Sequence, residues 1–146
     1  MTEDREKLVA PCGLDCGVCW LYLSRDSAEI WESVIAKGIP KEVLPCDGCR
    51  STGGGCPVIQ GECATRECAK EKGISSCAEC GEFPCMKLAP VADKADSMPH
   101  NTKVFNLCVV QNQGVKELVR MSGNLKQAYY KGKLVLGEGP RLEGQD

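Results

Sequence analysis

The chain has 146 residues, 18 lysines and arginines against 20 aspartates and glutamates, and a net charge of −2. That length fits one domain. The charge balance argues against a general polyanion binder, and no apolar run approaches the ~20 residues of a membrane-spanning helix. The N-terminal MTEDREKLVAPC is charged and lacks an apolar core, so no export signal is read there and the expected compartment is the cytoplasm. Thiols are kept reduced in that compartment, which makes the twelve cysteines candidates for metal ligands before disulfides.

Residues 1–10 are polar up to Leu8, Val9 and Ala10, and read as a short extended lead-in. PCGLDCGVC follows, with Gly13 and Gly17 directly after cysteines, as suits a tight loop whose backbone N–H groups point back at sulfur. Residues 20–37 read as one amphipathic helix. Trp20, Leu23, Ile30, Trp31, Val34 and Ile35 supply its apolar spacing, and Gly38 and Pro40 close it. Residues 46–85 then carry eight cysteines but only four large apolar side chains, Val58, Ile59, Ile74 and Phe83. Ordering a residue costs ~1–2 kcal/mol and burying such a side chain returns ~1.5–3 kcal/mol, so these four cannot hold the segment in one shape. The sulfurs must do it.

Within that segment Thr65 is expected to cap a short helix running to Lys72, with Gly73 at its end and Ile74 folding back. Pro84 suits the first turn of another, over residues 84–89. Residues 91–100 read as a linker or exposed loop. Asn101 or Thr102 is placed to cap a helix whose apolar face holds Val104, Leu107 and Cys108, flanked by Phe105 and Val110. Gly114 interrupts. Val115, Leu118 and Val119 continue a second segment to Ser122 and Gly123, and Leu125, Ala128 and Tyr129 suggest a further turn or two. Residues 134–136 suit a short strand, and the tail GEGPRLEGQD reads as flexible.

Three Cys-x2-Cys pairs, Cys16–Cys19, Cys46–Cys49 and Cys77–Cys80, carry the chemistry. Two intervening residues let both sulfurs of a turn face one ion, and two such pairs complete a tetrahedral four-thiolate site. The preferred partition joins Cys16 and Cys19 with Cys46 and Cys49. A second site takes Cys68, Cys77, Cys80 and Cys85, with Cys63 competing for a place. Spacing alone leaves cross-braced pairings open and leaves Cys12 and Cys56 free or in a third site. Cys108 reads as a buried structural thiol on an apolar helix face. Zinc, at about two ions, is favoured, since a structural zinc supplies ~10–16 kcal/mol of folding free energy to a core-poor segment. An iron–sulfur cluster is the alternative.

Other readings carry less. Cys12-x3-Cys16-x2-Cys19 matches the cluster spacing of radical S-adenosylmethionine enzymes, yet the chain is too short for their barrel. A thiol-dependent enzyme would use Cys12 or a spare cysteine, but His100, the sole histidine, stands in a loop beside proline and reads as solvated surface. Residues 53–55, all glycine, lack the Lys-Ser/Thr ending of a phosphate loop and read as a connector. Trp20, Trp31, Tyr129 and Tyr130 read as packing residues, and acids offset the basic groups of the cysteine region, so a nucleic-acid partner is not expected.

PCGLDCGVC, CDGC followed by Arg50, Cys63-x4-Cys68-Ala and CAECGEFPC together resemble the domain of unknown function 3795 family, small cysteine-rich proteins of bacteria and archaea, over residues 11–88. The resemblance carries over to Cys12, Cys16, Cys19, Cys46, Cys49, Cys63, Cys68, Cys77, Cys80 and Cys85, and leaves Cys56 and Cys108 outside. It implies a cytoplasmic metal-binding protein and no reaction. The expected fold is mostly α with irregular metal-binding loops, a small metal-stapled domain with one or two short β-hairpins. Residues 11–90 would form the cysteine-rich metal-binding region, 100–136 a helical region and 137–146 a flexible tail. The expected role is a zinc module presenting a surface to a protein or small molecule, with no membrane contact, or alternatively an iron–sulfur redox protein.

Overall fold

The computed structural model describes residues 2–51 and 55–144, and is mostly α with short β elements. The lead-in is helical where the sequence suggested an extended segment: α1 spans Thr2–Glu6, with Glu3 and Asp4 in its first turn and Arg5 in its last. So short a helix needs outside support. Arg5 provides it by reaching Asp15 with two hydrogen bonds of 2.8 and 2.7 Å. Val9 then bridges Asp15 in antiparallel fashion and folds residues 10–14 into a loop. At its tip Gly13 has φ +91°, and a β-carbon there would stand 2.8 Å from Leu107 Cγ. Only glycine meets both demands.

The single helix expected over residues 20–37 is two. Helix α2 covers Trp20–Leu23 and α3 covers Ala28–Ala36. The apolar spacing runs through the break, but the polar run between the helices does not continue the helix. Ser27 adopts an extended conformation and caps α3 by accepting from Ile30 N at 3.3 Å. Ser24, buried, turns its hydroxyl back to Leu21 O. Side chains of this kind compete for backbone groups and favour caps over helix interiors.

Two-residue strands β1 (Gly55–Cys56) and β2 (Gly61–Glu62) pair antiparallel. Helix α4 spans Ala64–Glu71, starting from Cys63 rather than from Thr65. Its end is as expected, with Gly73 at φ +66° and Ile74 N returning to Ala69 O at 3.1 Å. The helix expected over residues 84–89 shrinks to a 3-10 turn, Met86–Leu88. Residues 91–100 form turns, fastened by Asn101, whose side chain bonds Val91 N and O. Of the glycine connector, residues 53 and 54 lie outside the described residues.

Helix α5 spans Lys103–Gln113, and Thr102 occupies its N-cap position without a side-chain cap bond. Gly114 breaks it at φ +93°. Helix α6 then runs unbroken over Val115–Lys131, through Ser122 and Gly123 where the sequence suggested a pause. An exposed glycine inside a helix costs only ~1 kcal/mol against alanine, and packing overrides it. Strands β3 (Lys133–Val135) and β4 (Gly139–Arg141) close a hairpin, so the tail is ordered over part of the stretch read as flexible; residues 145 and 146 lie outside the described residues.

The core forms against α5 and α6. One cluster joins Val9, Val109 and Leu118; the other joins Ala78, Leu88 and Leu107, with Cys12, Cys77, Phe83 and Val104 packed on it. Helix α5 is thus the floor beneath both cysteine loops: Asn106 donates to Gly13 O at 3.0 Å and Gln111 to Ala78 O at 3.3 Å. Leu107 has no exposed surface. Truncation by Leu107→Ala is expected to cost ~2–5 kcal/mol, read by urea unfolding. Among the described residues no helix is long and apolar enough to cross a membrane.

Candidate thiolate centres

Two of the three Cys-x2-Cys pairs are built alike. Cys16–Val18 and Cys77–Glu79 are 3-10 turns, and each is preceded by an extended polar residue whose side chain accepts from the N–H two residues on. Asp15 accepts from Gly17 N at 2.8 Å, and Ser76 from Ala78 N at 3.1 Å. Each turn closes from the second cysteine N–H to the first cysteine carbonyl, at 3.0 and 3.1 Å. The third pair differs. Gly48, at φ +99°, donates to Cys46 Sγ at 3.5 Å. The peptides Leu44–Pro45 and Phe83–Pro84, each directly before a cysteine, are cis.

The structure brings the Cys16–Cys19 and Cys46–Cys49 turns together. Cys49 N–H donates to Cys16 Sγ at 3.4 Å, and a β-carbon on Gly48 would lie 3.7 Å from Cys16 Cβ and 3.0 Å from Leu8 Cδ2. Arg25 holds the second turn by donating to Cys46 O at 2.8 Å and to Asp47 at 3.1 Å. Burial pushes the Cys16 thiol up to about 12 and Cys49 up to about 11, and mutual repulsion among Cys12, Cys16, Cys19 and Cys49 adds to the rise at Cys16. Cys56 belongs to the same neighbourhood, facing Cys19, Cys46 and Cys49 electrostatically. The sequence reading had set it aside. Cys63 stands with Cys12 and Cys49. Against this group lies Lys126, which donates to Val18 O and sits 4.6 Å over the Trp20 ring; burial lowers its pKa while Cys19 opposes the drop.

Cys68, Cys77, Cys80 and Cys85 line one cavity of about 100 Å³, together with Lys72, Glu82 and Lys87 and an apolar wall that includes Ile74, Phe83 and Leu88. Cys63 is not part of that lining. Lys72 Nζ is 3.3 Å from Cys80 Sγ and also ion-pairs with Glu82, whose N–H donates to the same sulfur at 3.4 Å. The Glu82 N–H, then the Lys72 ammonium, hold the Cys80 thiol below its ordinary value, whereas burial and then Cys12, Cys85, Cys80 and Cys68 push Cys77 up to about 11. The thiolate is the nucleophile. In the metal-free protein iodoacetamide is therefore expected to alkylate Cys80 well before Cys16 or Cys49, an order that peptide mass mapping reads.

Cys12 lies between the two groups. The Cys77 N–H donates to Pro11 O at 2.8 Å, and Cys12 and Cys77 pack on the same apolar cluster. Arg50, next to Cys49, ties the loops from the other side, donating to Val9 O at 2.8 Å and to Ser75 O at 2.6 Å. A larger cleft, about 350 Å³, is lined there by Val9, Ala10, Ala78 and Val110 with Arg50 at its edge, and no cysteine faces it. With Arg50 committed to two carbonyls, this cleft is the seam between the loops. Cys108 is partly buried on α5, and His100 is half-buried with Nε2 bonded to Ala89 O at 2.7 Å, which removes it from the solvated surface expected of it. No cysteine is disulfide-bonded among the described residues. As placed, no three His, Cys, Asp or Glu side chains among them are close enough to hold a metal ion. The donor set suits a soft ion in kind, and the sulfurs line a space without converging on a point.

These features define a small, cysteine-rich, helix-floored protein with two thiol groups held by short turns. The chain belongs to the protein family of unknown function DUF3795, whose model matches residues 8–90. No curated protein and no solved structure matches the chain.

Proposed function

We propose that the protein binds thiophilic metal ions, zinc first among them, at two thiolate groups that staple its loops. The observation carrying this reading is the cavity lined by Cys68, Cys77, Cys80 and Cys85, the four cysteines grouped in the preferred partition of the sequence, in which Cys63 competed for a place. Three supports stand beside it. The Cys16–Cys19 and Cys46–Cys49 turns adjoin, N–H groups donate to Cys16, Cys46 and Cys80 sulfurs, and a lysine lies beside each group to offset thiolate charge. Hydrogen bonds to the charged form are what stabilise a thiolate.

Anaerobic reconstitution tests the reading. The protein is expected to retain about two zinc ions per chain by elemental analysis, as two four-thiolate sites require. Cys16, Cys19, Cys46, Cys49, Cys68, Cys77, Cys80 and Cys85 should then be protected from alkylation. Bound iron with sulfide and visible absorption would replace zinc by a cluster in this reading. A chain that retains neither metal, with all twelve thiols alkylated, sinks it.

A further inference from the structure

The seam between the cysteine loops is held open by hydrogen bonds. Arg50 donates to Val9 O and to Ser75 O, Gln111 donates to Ala78 O, and Val9 N–H returns to Glu6 O at 3.1 Å. These bonds fix the walls of the cleft of about 350 Å³. Native interiors leave few voids larger than a water molecule, whereas small-molecule sites begin at ~300 Å³. Val9, Ala10 and Ala78 are buried in its lining, and Val110 and Val115 are partly buried beside them. Water gains little against such a surface, and a carbon chain gains by covering it.

The charged groups of the lining are Glu6, Glu79 and Arg50. Glu6 ends α1, and Glu79 ends the Cys77 turn, so the two carboxylates reach the cleft from different elements. Neither side chain has a hydrogen-bond or ion-pair partner among the described residues. Arg50 already donates to two carbonyls, and two carboxylates against one guanidinium leave the lining negative.

We propose that this cleft binds a small aliphatic diamine in its doubly protonated form, with the carbon chain on the valine and alanine surface and the ammonium ends at Glu6 and Glu79. Hydrogen bonds between ions of opposite charge are stronger than neutral ones, and walls already fixed by Arg50 and Gln111 need little ordering when the ligand enters. An anionic ligand of the same length meets two carboxylates, and a neutral one leaves both unpaired. No cysteine lines the cleft, so this site is independent of metal binding and either can fail without the other.

The test titrates the full, reduced chain with three probes of equal length and different charge: 1,5-diaminopentane, 1,5-pentanediol and glutarate. The diamine is expected to shift the amide resonances of Val9, Ala10, Ala78, Val110 and Val115 and to saturate, with a dissociation constant of about 1 mM or below. The diol should bind at least severalfold more weakly, and glutarate should give no saturable shift. Glu6→Gln and Glu79→Gln should each weaken the diamine about two- to fivefold, the range of an exposed charge pair, and high salt should weaken it on the unaltered chain. Equal binding of diol and diamine overturns the proposal, as does saturable binding of glutarate. Diamine shifts scattered over other acidic residues, or none at all, overturn it too. The salt series needs no variant, so a substitution that disturbs folding leaves the test standing.

Discussion

Zinc added to the reduced, metal-free protein is expected to raise its thermal midpoint by about 10 °C. An ion that binds only the folded chain, present at ~1,000 times its dissociation constant, contributes ~4 kcal/mol, and a chain of this size gains ~2–4 °C per kcal/mol. Residues 46–85 are where the gain should concentrate, because their few large apolar side chains leave them most dependent on sulfur. The cluster between α5 and α6 depends on it least: Leu118 is fully buried with Val9 and Val109, and Val115, Val119 and Leu125 pack on them. A chelator should therefore abolish amide protection in the cysteine loops while leaving α5 and α6 partly protected, a pattern that hydrogen exchange resolves. A midpoint indifferent to zinc, with unchanged exchange in the loops, counts against thiolate stapling.

Arg5→Ala is expected to cost ~3–5 kcal/mol, the penalty of leaving a buried charge without its partner. The asymmetry of the pair sets the order of the variants. The Asp15 side chain is 2% exposed and that of Arg5 is 32% exposed, so a stranded carboxylate suffers more than a stranded guanidinium. Asp15→Ala should consequently cost less than Arg5→Ala, at ~2–3 kcal/mol, even though it also removes the acceptor for Gly17 N and with it the cap of the Cys16 turn. The double variant should fall short of the sum, since the two residues share one interaction. Urea unfolding gives all three values. Equal and additive costs would place the pair's worth elsewhere. Asp15 was invisible in the sequence, where it stands merely as one residue of PCGLDCGVC.

What could be read in the sequence divides along physical lines. Gly73 and Gly114 announced their helix ends because positive φ is a local demand that glycine answers locally. The break between α2 and α3 was hidden, because Trp20, Leu23, Ile30 and Trp31 keep helical spacing on both sides of it while Ser24 and Ser27 take backbone partners that spacing does not reveal. Of the β3–β4 hairpin the first strand was legible, at residues 134–136, and the second was hidden for a related reason. Its turn uses Gly137 and Gly139 at positive φ, and its second strand contains Pro140, so the segment reads as loop until the pairing is seen. For the thiols, spacing within a turn was legible and proximity between turns mostly was not. Cys68 on α4 and Cys77, Cys80 and Cys85 on the turns after it line one cavity, and the sequence could group them because they lie within one short stretch of chain. Cys56 and Cys63 depend on where β1 and β2 deliver them, a long-range matter that no window of sequence contains.

The floor laid by α5 has a bearing on how the molecule could be dissected. The stretch shared with the family ends at residue 90, whereas the carbonyl of Gly13, the carbonyl of Ala78 and the apolar underside of both loops are met by side chains between residues 103 and 111. A recombinant fragment cut at the family border would keep every cysteine but Cys108, and would present Val9, Ala78 and Leu88 to water. The inherited signature and the unit that can stand alone thus have different edges, and any minimal version of this protein has to include a helix that the signature omits.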